Sequence, residues 1–168
     1  MVFNHIQQTI YPSVICKSGQ TTELTTITWC QMTDFIVDNS SDFAEQAKQK
    51  IAEFNAQHWD ASQRQALGLK QLNARGEVVA MLAGRTFGNW FYLESFWLQE
   101  SERGKGLGSA MLAEAEAIAR HRGCRFVLLD TLEFQAKPFY QRHGYRVAWI
   151  QQDYPFAGGA KYFMTKIL

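Results

Sequence analysis

The alternation of apolar and polar residues divides the chain into predicted strands and helices. Apolar residues recur at helical spacing in two long segments, 43–58 and 107–121, which predicts two amphipathic helices. A shorter helix is predicted at about 135–143. Apolar and β-branched runs predict strands at 34–38, 66–72, 77–87, 90–98, 125–130, 145–151 and 161–168. This order predicts an α/β fold, a mixed sheet with helices on both faces.

Several local signals mark where these elements begin and end. Asp42 and Glu45 match a capping box for the first helix, although Ser40 or Ser41 could cap it instead. The dipeptide 88–89, Gly-Asn, lies between two apolar runs and predicts a hairpin turn. A glycine at 123 suits the end of the second helix, and residues 153–159 have the composition of a loop.

Residues 1–31 differ from the rest of the chain. They contain one lysine, one acidic residue and six threonines. We interpret them as an N-terminal extension to a single domain over 32–168. Three roles stay open for it: an added edge strand, a contact in a homodimer, or sequence upstream of a natural start at Met32.

The length, charge and cysteine content of the chain limit the classes of protein to which it could belong. A chain of 168 residues is expected to form one domain, and 46% hydrophobic residues allow a substantial core. The net charge of +1 does not favour nucleic acid or a membrane surface as a partner. Three cysteines without metal-ligand spacing favour a reducing cytoplasm, and the histidines show no metal-site spacing, so no metal is predicted. No segment resembles a signal peptide or a membrane span.

The glycine-rich segment 103–108, Arg-Gly-Lys-Gly-Leu-Gly, joins the most apolar strand to the second long helix. Bare backbone N–H groups and the positive end of the helix dipole at such a turn predict a pyrophosphate site, with Arg103 and Lys105 at its rim. The pattern is not a P-loop, because Gly106 follows Lys105. It is not a dinucleotide fingerprint either, because Ser109 or Met111 stands where the third glycine belongs.

Two motifs resemble those of the GCN5-related N-acetyltransferases. The first is Arg-x-x-Gly-x-Gly at 103–108, after a strand that ends in Phe-Trp-Leu at 96–98. The second is Ala136, three residues, Tyr140, three residues, then Gly-Tyr at 144–145. The resemblance covers roughly residues 32–168 and implies a mostly antiparallel mixed sheet. The chain departs from the family pattern at Glu133, where an asparagine is common, and Gln135 is the replacement we consider for its contact with the pantetheine arm.

The resemblance implies that acetyl-CoA is the co-substrate and indicates which residues bind it. The implied contacts are Phe96, Leu98, Gln99, Arg103, Gly104, Lys105, Gly106, Leu107, Gly108, Ser109, Gln135, Phe139 and Tyr140. It also implies that neighbouring strands separate near Leu98, whose backbone N–H would polarise the thioester carbonyl.

Direct transfer to an amine needs groups that handle protons. The resemblance places Tyr140 beside the CoA sulfur, where a phenol can protonate the leaving thiolate. Glu94 is the only acid in 90–98 and shares strand parity with Tyr92 and Phe96, so it is the candidate base. An ion pair between Glu94 and Arg85 across the hairpin is an equally good interpretation. Asp130 could contact substrate, but a turn or helix-capping role is favoured.

The resulting prediction is an acetyl-CoA-dependent N-acetyltransferase that acts on the primary amine of a small molecule. Two alternatives remain: a module that binds acyl-CoA without transferring the acyl group, and an acetyltransferase for peptides or proteins. The acceptor amine itself is not predicted.

Overall fold

The computed structural model describes residues 35–168, so the predicted extension at 1–31 lies outside the described residues. Residues 35–38 lie in irregular backbone, and the strand predicted at 34–38 is therefore wrong over that part. The chain divides after His58 into two units. The prediction of a single domain from residue 32 onward stays a prediction.

The first unit contains helix α1, which spans Phe43–Asn55. The predicted capping box is wrong. Asp42 has helical backbone angles and makes no side-chain cap bond, whereas a cap needs extended backbone to turn its oxygen toward the first N–H groups. Its carboxylate instead accepts a hydrogen bond of 3.2 Å from the Gln46 side chain, and the backbone N–H of Phe43 donates to the Ser40 carbonyl.

The second unit is a six-stranded sheet with two helices. Its elements are β1 (Gln65–Leu72), β2 (Val78–Phe87), β3 (Trp90–Leu98), α2 (Leu107–His121), β4 (Phe126–Leu132), α3 (Lys137–Arg142), β5 (Arg146–Gln152) and β6 (Ala160–Ile167). The strands lie in the order β1-β2-β3-β4-β6-β5, and only the β3–β4 pair is parallel among those described. The predicted α/β class with a mixed, mostly antiparallel sheet is confirmed.

One apolar cluster joins both helices of this unit to the sheet. Alternate residues of the two central strands, such as Phe91 and Val127, are fully buried in it. Helix α2 contributes Leu112 and Ala115, and helix α3 contributes Tyr140. The helical spacing that predicted α2 therefore identifies the side that packs on the sheet.

A β-bulge interrupts the pairing of β2 with β3 just before the glycine-rich segment. Gly84 lies opposite Leu93, whereas its neighbour Ala83 lies opposite Ser95, so Glu94 is the extra residue. A Cβ added to Gly84 would lie 2.2 Å from the Tyr92 carbonyl oxygen, so this approach requires glycine. The bulge changes the parity of the strand, and the prediction that Glu94 shares a face with Phe96 is wrong.

The two central strands separate beyond the bulge, as the resemblance implied. Strands β3 and β4 are paired from Trp90 with Phe126 to Leu93 with Leu129, yet both strands continue further. We call the gap between 94–98 of β3 and 130–132 of β4 the fork. Backbone groups along the fork are left without a neighbouring strand, so they are available to a ligand.

Candidate active site

A cleft of about 1080 Å³ surrounds the fork and reaches the N-terminus of α2. Eleven of the fourteen predicted site residues line it: Glu94, Phe96, Leu98, Arg103, Gly104, Gly106, Gly108, Ser109, Gln135, Phe139 and Tyr140. Gln99, Lys105 and Leu107 do not line it. Gln99 instead continues the sheet pairing through its N–H, Lys105 forms an ion pair with Glu102, and Leu107 packs against the core.

The glycine-rich segment leaves a run of backbone donors unpaired at one end of this cleft. Helix α2 begins after Gly106, whose φ of 87° lies in the left-handed region. Among the hydrogen bonds of residues 35–168, no backbone N–H from 104 to 109 donates to a backbone carbonyl. A Cβ at Gly104 or Gly106 would meet no atom within 4 Å, so the space beside them is open. These features fit a pyrophosphate, and we call residues 104–109 the cradle.

The edge of β3 presents backbone groups to the fork. The N–H of Gln99 donates to the Val79 carbonyl at 2.9 Å, which makes Leu98 and Ala80 a non-hydrogen-bonded pair in an antiparallel ladder. The N–H and carbonyl of Leu98 therefore point away from β2 and into the fork. The Leu98 carbonyl accepts a hydrogen bond of 3.2 Å from the Arg103 side chain, which leaves its N–H for a ligand.

Gln135 is held at the opposite side of the fork. Its side-chain oxygen accepts hydrogen bonds from the Leu132 backbone N–H at 2.8 Å and from the Thr131 hydroxyl at 3.3 Å. Only its amide NH₂ group therefore remains for a ligand in the cleft. The predicted replacement for the family's asparagine stays a prediction, now restricted to hydrogen-bond donation.

The hydroxyl of Tyr140 is directed to the cleft from helix α3. The residue is only 6% exposed, and its ring packs against Phe139 and Tyr145. Its hydroxyl makes no hydrogen bond to residues 35–168, so it is free for a ligand. Burial, and then the negative charge of Asp130, raise the pKa of Tyr140 to about 12. The phenol is therefore protonated at every physiological pH.

Two carboxylates border the fork, and each is paired with a cation. Glu94 forms an ion pair with Arg85 across the hairpin, which is one of the two interpretations that the sequence allowed for Glu94. Asp130 lies inside β4 and forms an ion pair of 2.9 Å with Lys161 of β6. The turn or capping role favoured for Asp130 is wrong, because β4 continues for two residues beyond it.

Sequence reasoning missed other residues that line this cleft. They are Leu93, Ser95, Trp97, Thr131, Leu132, Phe134, Ala136, Arg142, Tyr154 and Lys161. Arg142 follows Phe139 at helical spacing, which could have identified it. Lys161 reaches the cleft through the pairing of β6 with β4, for which the sequence offers no local signal, and Tyr154 lies in the loop before β6.

Within residues 35–168 no three His, Cys, Asp or Glu side chains cluster in a way that could hold a metal ion. In the same part of the chain, no helix has both the length and the apolar character needed to cross a bilayer.

Known proteins resemble this chain in sequence and in structure. The blasticidin-S acetyltransferase of Streptomyces morookaense is 44% identical over 82 residues, which cover 48% of this chain and 60% of that relative. An acetyltransferase of Agrobacterium fabrum is 30% identical over 114 residues, covering 67% of this chain and 83% of that protein. The crystal structure of an acetyltransferase from Bacillus cereus matches with a TM-score of 0.71 and 31% identity, covering 80% of this chain and 97% of that one.

The Acetyltransferase (GNAT) family model matches residues 24–145, well over half of the chain. This match confirms the resemblance that the two motifs indicated, and at the level of the family it confirms the acetyltransferase class and the acyl-CoA co-substrate. The chain belongs to the acetyltransferase (GNAT) family.

Proposed function

We propose that the protein transfers the acetyl group of acetyl-CoA directly to the primary amine of a small molecule. The observation that carries this proposal is the fork. One cleft holds the Leu98 backbone N–H and Tyr140, whose hydroxyl makes no hydrogen bond within residues 35–168, and it continues to the unpaired N–H groups of 104–109.

The chain offers separate contacts for each part of CoA. The N–H groups of 104–109 would bind the pyrophosphate, and the backbone of Phe96 and Leu98 would pair with the pantetheine amides as an added strand does. Phe139 packs beside Gly108 and Phe96 and supplies apolar contact along this path. When bound, acetyl-CoA supplies an activated thioester.

Two groups of the chain are suited to stabilise charge as the acetyl group moves. The Leu98 N–H is fixed by the pairing of β3 with β2, so it can donate to the thioester oxygen without reorganisation. The Tyr140 hydroxyl can donate to the sulfur as negative charge develops there. A phenol with a pKa of about 12 holds its proton more tightly than an ordinary thiol, with a pKa near 8.5, so hydrogen bonding is favoured over complete proton transfer.

The proposal also specifies that the acceptor amine is a small molecule. It is supported by one relative, the blasticidin-S acetyltransferase, whose name indicates a small-molecule acceptor and of whose length this chain matches 60%. An acyl-CoA-binding module without transfer is the weaker alternative, since the relatives that this chain resembles are named as acetyltransferases. The cytoplasmic location and the homodimer stay predictions.

The test is release of CoA thiol from acetyl-CoA with blasticidin S, aminoglycosides, amino acids, polyamines and peptide N-termini as acceptors. We expect turnover with at least one small amine and none with peptides. Tight CoA binding without thiol release for any acceptor would support the binding module, and turnover with peptides alone would support the protein acetyltransferase.

A further inference from the structure

The cleft opens on both faces of the sheet, because the two central strands separate at the fork. On β3, Phe96 and Leu98 pack against the core cluster, so Trp97 between them projects from the opposite face. On β4, Thr131 is buried, so Asp130 before it projects from that same opposite face. All five residues line the cleft. We call the sheet face opposite the core cluster the outer face.

The groups proposed to bind CoA lie on the core side of the fork. Helices α2 and α3 both pack against the core cluster, and they bring the cradle, Phe139 and Tyr140 to that side of the cleft. The acceptor amine has to reach the thioester carbon along a path that CoA does not fill. The outer face is therefore the side from which the acceptor approaches.

Two exposed aromatic side chains of the cleft are Trp97 and Tyr154. Trp97 is 47% exposed and Tyr154 is 38% exposed, and within residues 35–168 neither ring packs against another ring. On the core side, in contrast, the rings of Phe96, Phe139 and Tyr140 each contact another ring. Apolar ring surface in water is unfavourable, so a ligand that covers the two exposed rings gains affinity from them.

The loop between β5 and β6 holds Tyr154 on the outer face, beside the fork. The N–H of Tyr154 donates to the Gly159 carbonyl at 3.3 Å, and a Cβ added to Gly159 would lie 2.7 Å from the Tyr154 carbonyl oxygen, so the loop is closed tightly on itself. The ammonium of Lys161 lies 5.4 Å from the centre of the Tyr154 ring and forms its ion pair with Asp130. Since Asp130 projects from the outer face, Tyr154 lies there too.

The charged side chains around this part of the fork balance one another. Glu94 is paired with Arg85, and Asp130 is paired with Lys161, so the two acids and the two cations bring no net charge. Such a surface does not favour an acceptor that carries several charges of one sign. The two exposed rings are then the feature by which the outer face distinguishes one small amine from another.

We infer that the acceptor carries a planar aromatic or heteroaromatic ring, which stacks on Trp97 and contacts Tyr154 while its amine reaches the fork. The inference rests on the proposed function and names the class of its acceptor, the small arylalkylamines. Trp97 and Leu98 are neighbours with Cα atoms about 3.8 Å apart, so a linker of about one to three carbons joins a ring on Trp97 to an amine beside the Leu98 N–H. Offset stacking of the two rings favours a flat ring over a puckered one of the same size.

The first measurement compares 2-phenylethylamine with 2-cyclohexylethylamine as acceptors in the thiol-release assay. The two amines have the same linker and the same number of carbons, but only the first has a flat ring. In the parent protein, kcat/KM should be on the order of tenfold higher for 2-phenylethylamine, because only this amine gains from stacking. Trp97→Leu should remove most of this preference and leave the Kd for CoA unchanged.

Trp149→Leu is the matched control, because Trp149 is also an exposed tryptophan but lies on β5, outside the cleft. It should keep the preference of the parent. Tyr154→Leu is a second variant at the ring site and should reduce the preference by about threefold. A parent protein that uses the two amines equally well would overturn the inference, as would a preference that Trp97→Leu leaves unchanged.

A second measurement does not depend on turnover. When 2-phenylethylamine is added to the protein–CoA complex, the NMR signal of the Trp97 indole N–H should shift, because a stacked aromatic ring alters the local magnetic field. This signal is identified by its loss in Trp97→Leu, and 2-cyclohexylethylamine should shift it much less. Equal shifts with the two amines, or shifts confined to other tryptophans, would refute the ring site.

The two measurements separate this inference from the proposed function. A parent protein that shows the Trp97 shift but releases no thiol with any amine would support the ring site and refute the proposed function. Transfer to alkylamines without a preference for flat rings would support the proposed function and overturn the ring site.

Discussion

Replacing Tyr140 with phenylalanine removes one hydroxyl and keeps the ring that packs against Phe139 and Tyr145. Because the hydroxyl has no hydrogen-bond partner in residues 35–168, folding loses no bond, and we expect the melting temperature to stay the same or rise slightly. A hydrogen bond to a charged acceptor contributes about 1.5–3 kcal/mol. At about 1.36 kcal/mol per tenfold, kcat should therefore fall about 10- to 150-fold.

Because the pKa of Tyr140 is raised, we expect no fall in kcat beyond this range, since a larger fall would require complete proton transfer from Tyr140 to the sulfur. Moving a proton from a group with a pKa of about 12 to a thiolate whose acid has a pKa near 8.5 is unfavourable by about 5 kcal/mol. We therefore expect Tyr140 to cause no alkaline fall in the pH–rate profile below about pH 11. The assay is thiol release at saturating acetyl-CoA and amine, with single-turnover measurements to show that chemistry limits the rate.

Two results would refute this reasoning. A Tyr140→Phe protein with unchanged single-turnover rate would show that Tyr140 is only a core residue. An alkaline limb that disappears in the variant would show that Tyr140 loses its proton during the reaction. Stability gives an independent check. The pKa of Tyr140 is higher in the folded than in the unfolded protein, so Tyr140 contributes to the free energy of unfolding below about pH 10 and loses this contribution as pH rises toward 12. The Tyr140→Phe variant should therefore lose less stability than the parent between pH 10 and 12.

Three further substitutions test the cradle, the core and the bulge. Gly106→Val should reduce the affinity for CoA, measured by calorimetry, at least tenfold, because the side chain fills the space beside the N–H groups. Gly76→Val is the control, since Gly76 has a similar φ but lies in the β1–β2 turn, and its affinity for CoA should not change. Equal affinities in the two variants would refute the cradle. Glu116→Gln should lower the free energy of unfolding, measured by urea denaturation, by about 3–5 kcal/mol. The reason is that the ammonium of Lys166, which lies 2.6 Å from the buried carboxylate, loses its counter-charge; a decrease below about 1 kcal/mol would contradict this reasoning. Gly84→Ala should cost at least about 1–3 kcal/mol, since its Cβ has no room beside β3, and an unchanged melting temperature would show that the bulge relaxes.

Glu116 of helix α2 is a buried charge that the helical pattern of the sequence does not reveal. Its carboxylate is 4% exposed and accepts hydrogen bonds from the Tyr145 hydroxyl and the Lys166 ammonium. The spacing of apolar residues in 107–121 predicts the helix and its buried side, but it does not indicate that a glutamate is buried there. Lys166 of β6 and Tyr145, which come from other parts of the sheet unit, join Arg120 of the same helix as partners that allow this charge to be buried.

The sequence by itself determined the local elements and the cradle. Strand β3 and helix α2 have the predicted bounds, because continuous apolar runs and helical spacing are properties of neighbouring residues. The glycines at 104, 106 and 108 likewise act through their own backbone, so a motif of six residues was enough to predict an anion site.

Only the tertiary structure decided how the strands meet. The bulge at Glu94 depends on Gly84 of another strand, and the fork depends on where the pairing of β3 with β4 stops. Asp130 and Glu94 are 36 positions apart in sequence and become neighbours only through that register. Strand pairing is a non-local interaction, and a shift of one residue would move every side chain to the other face, so local periodicity cannot fix it.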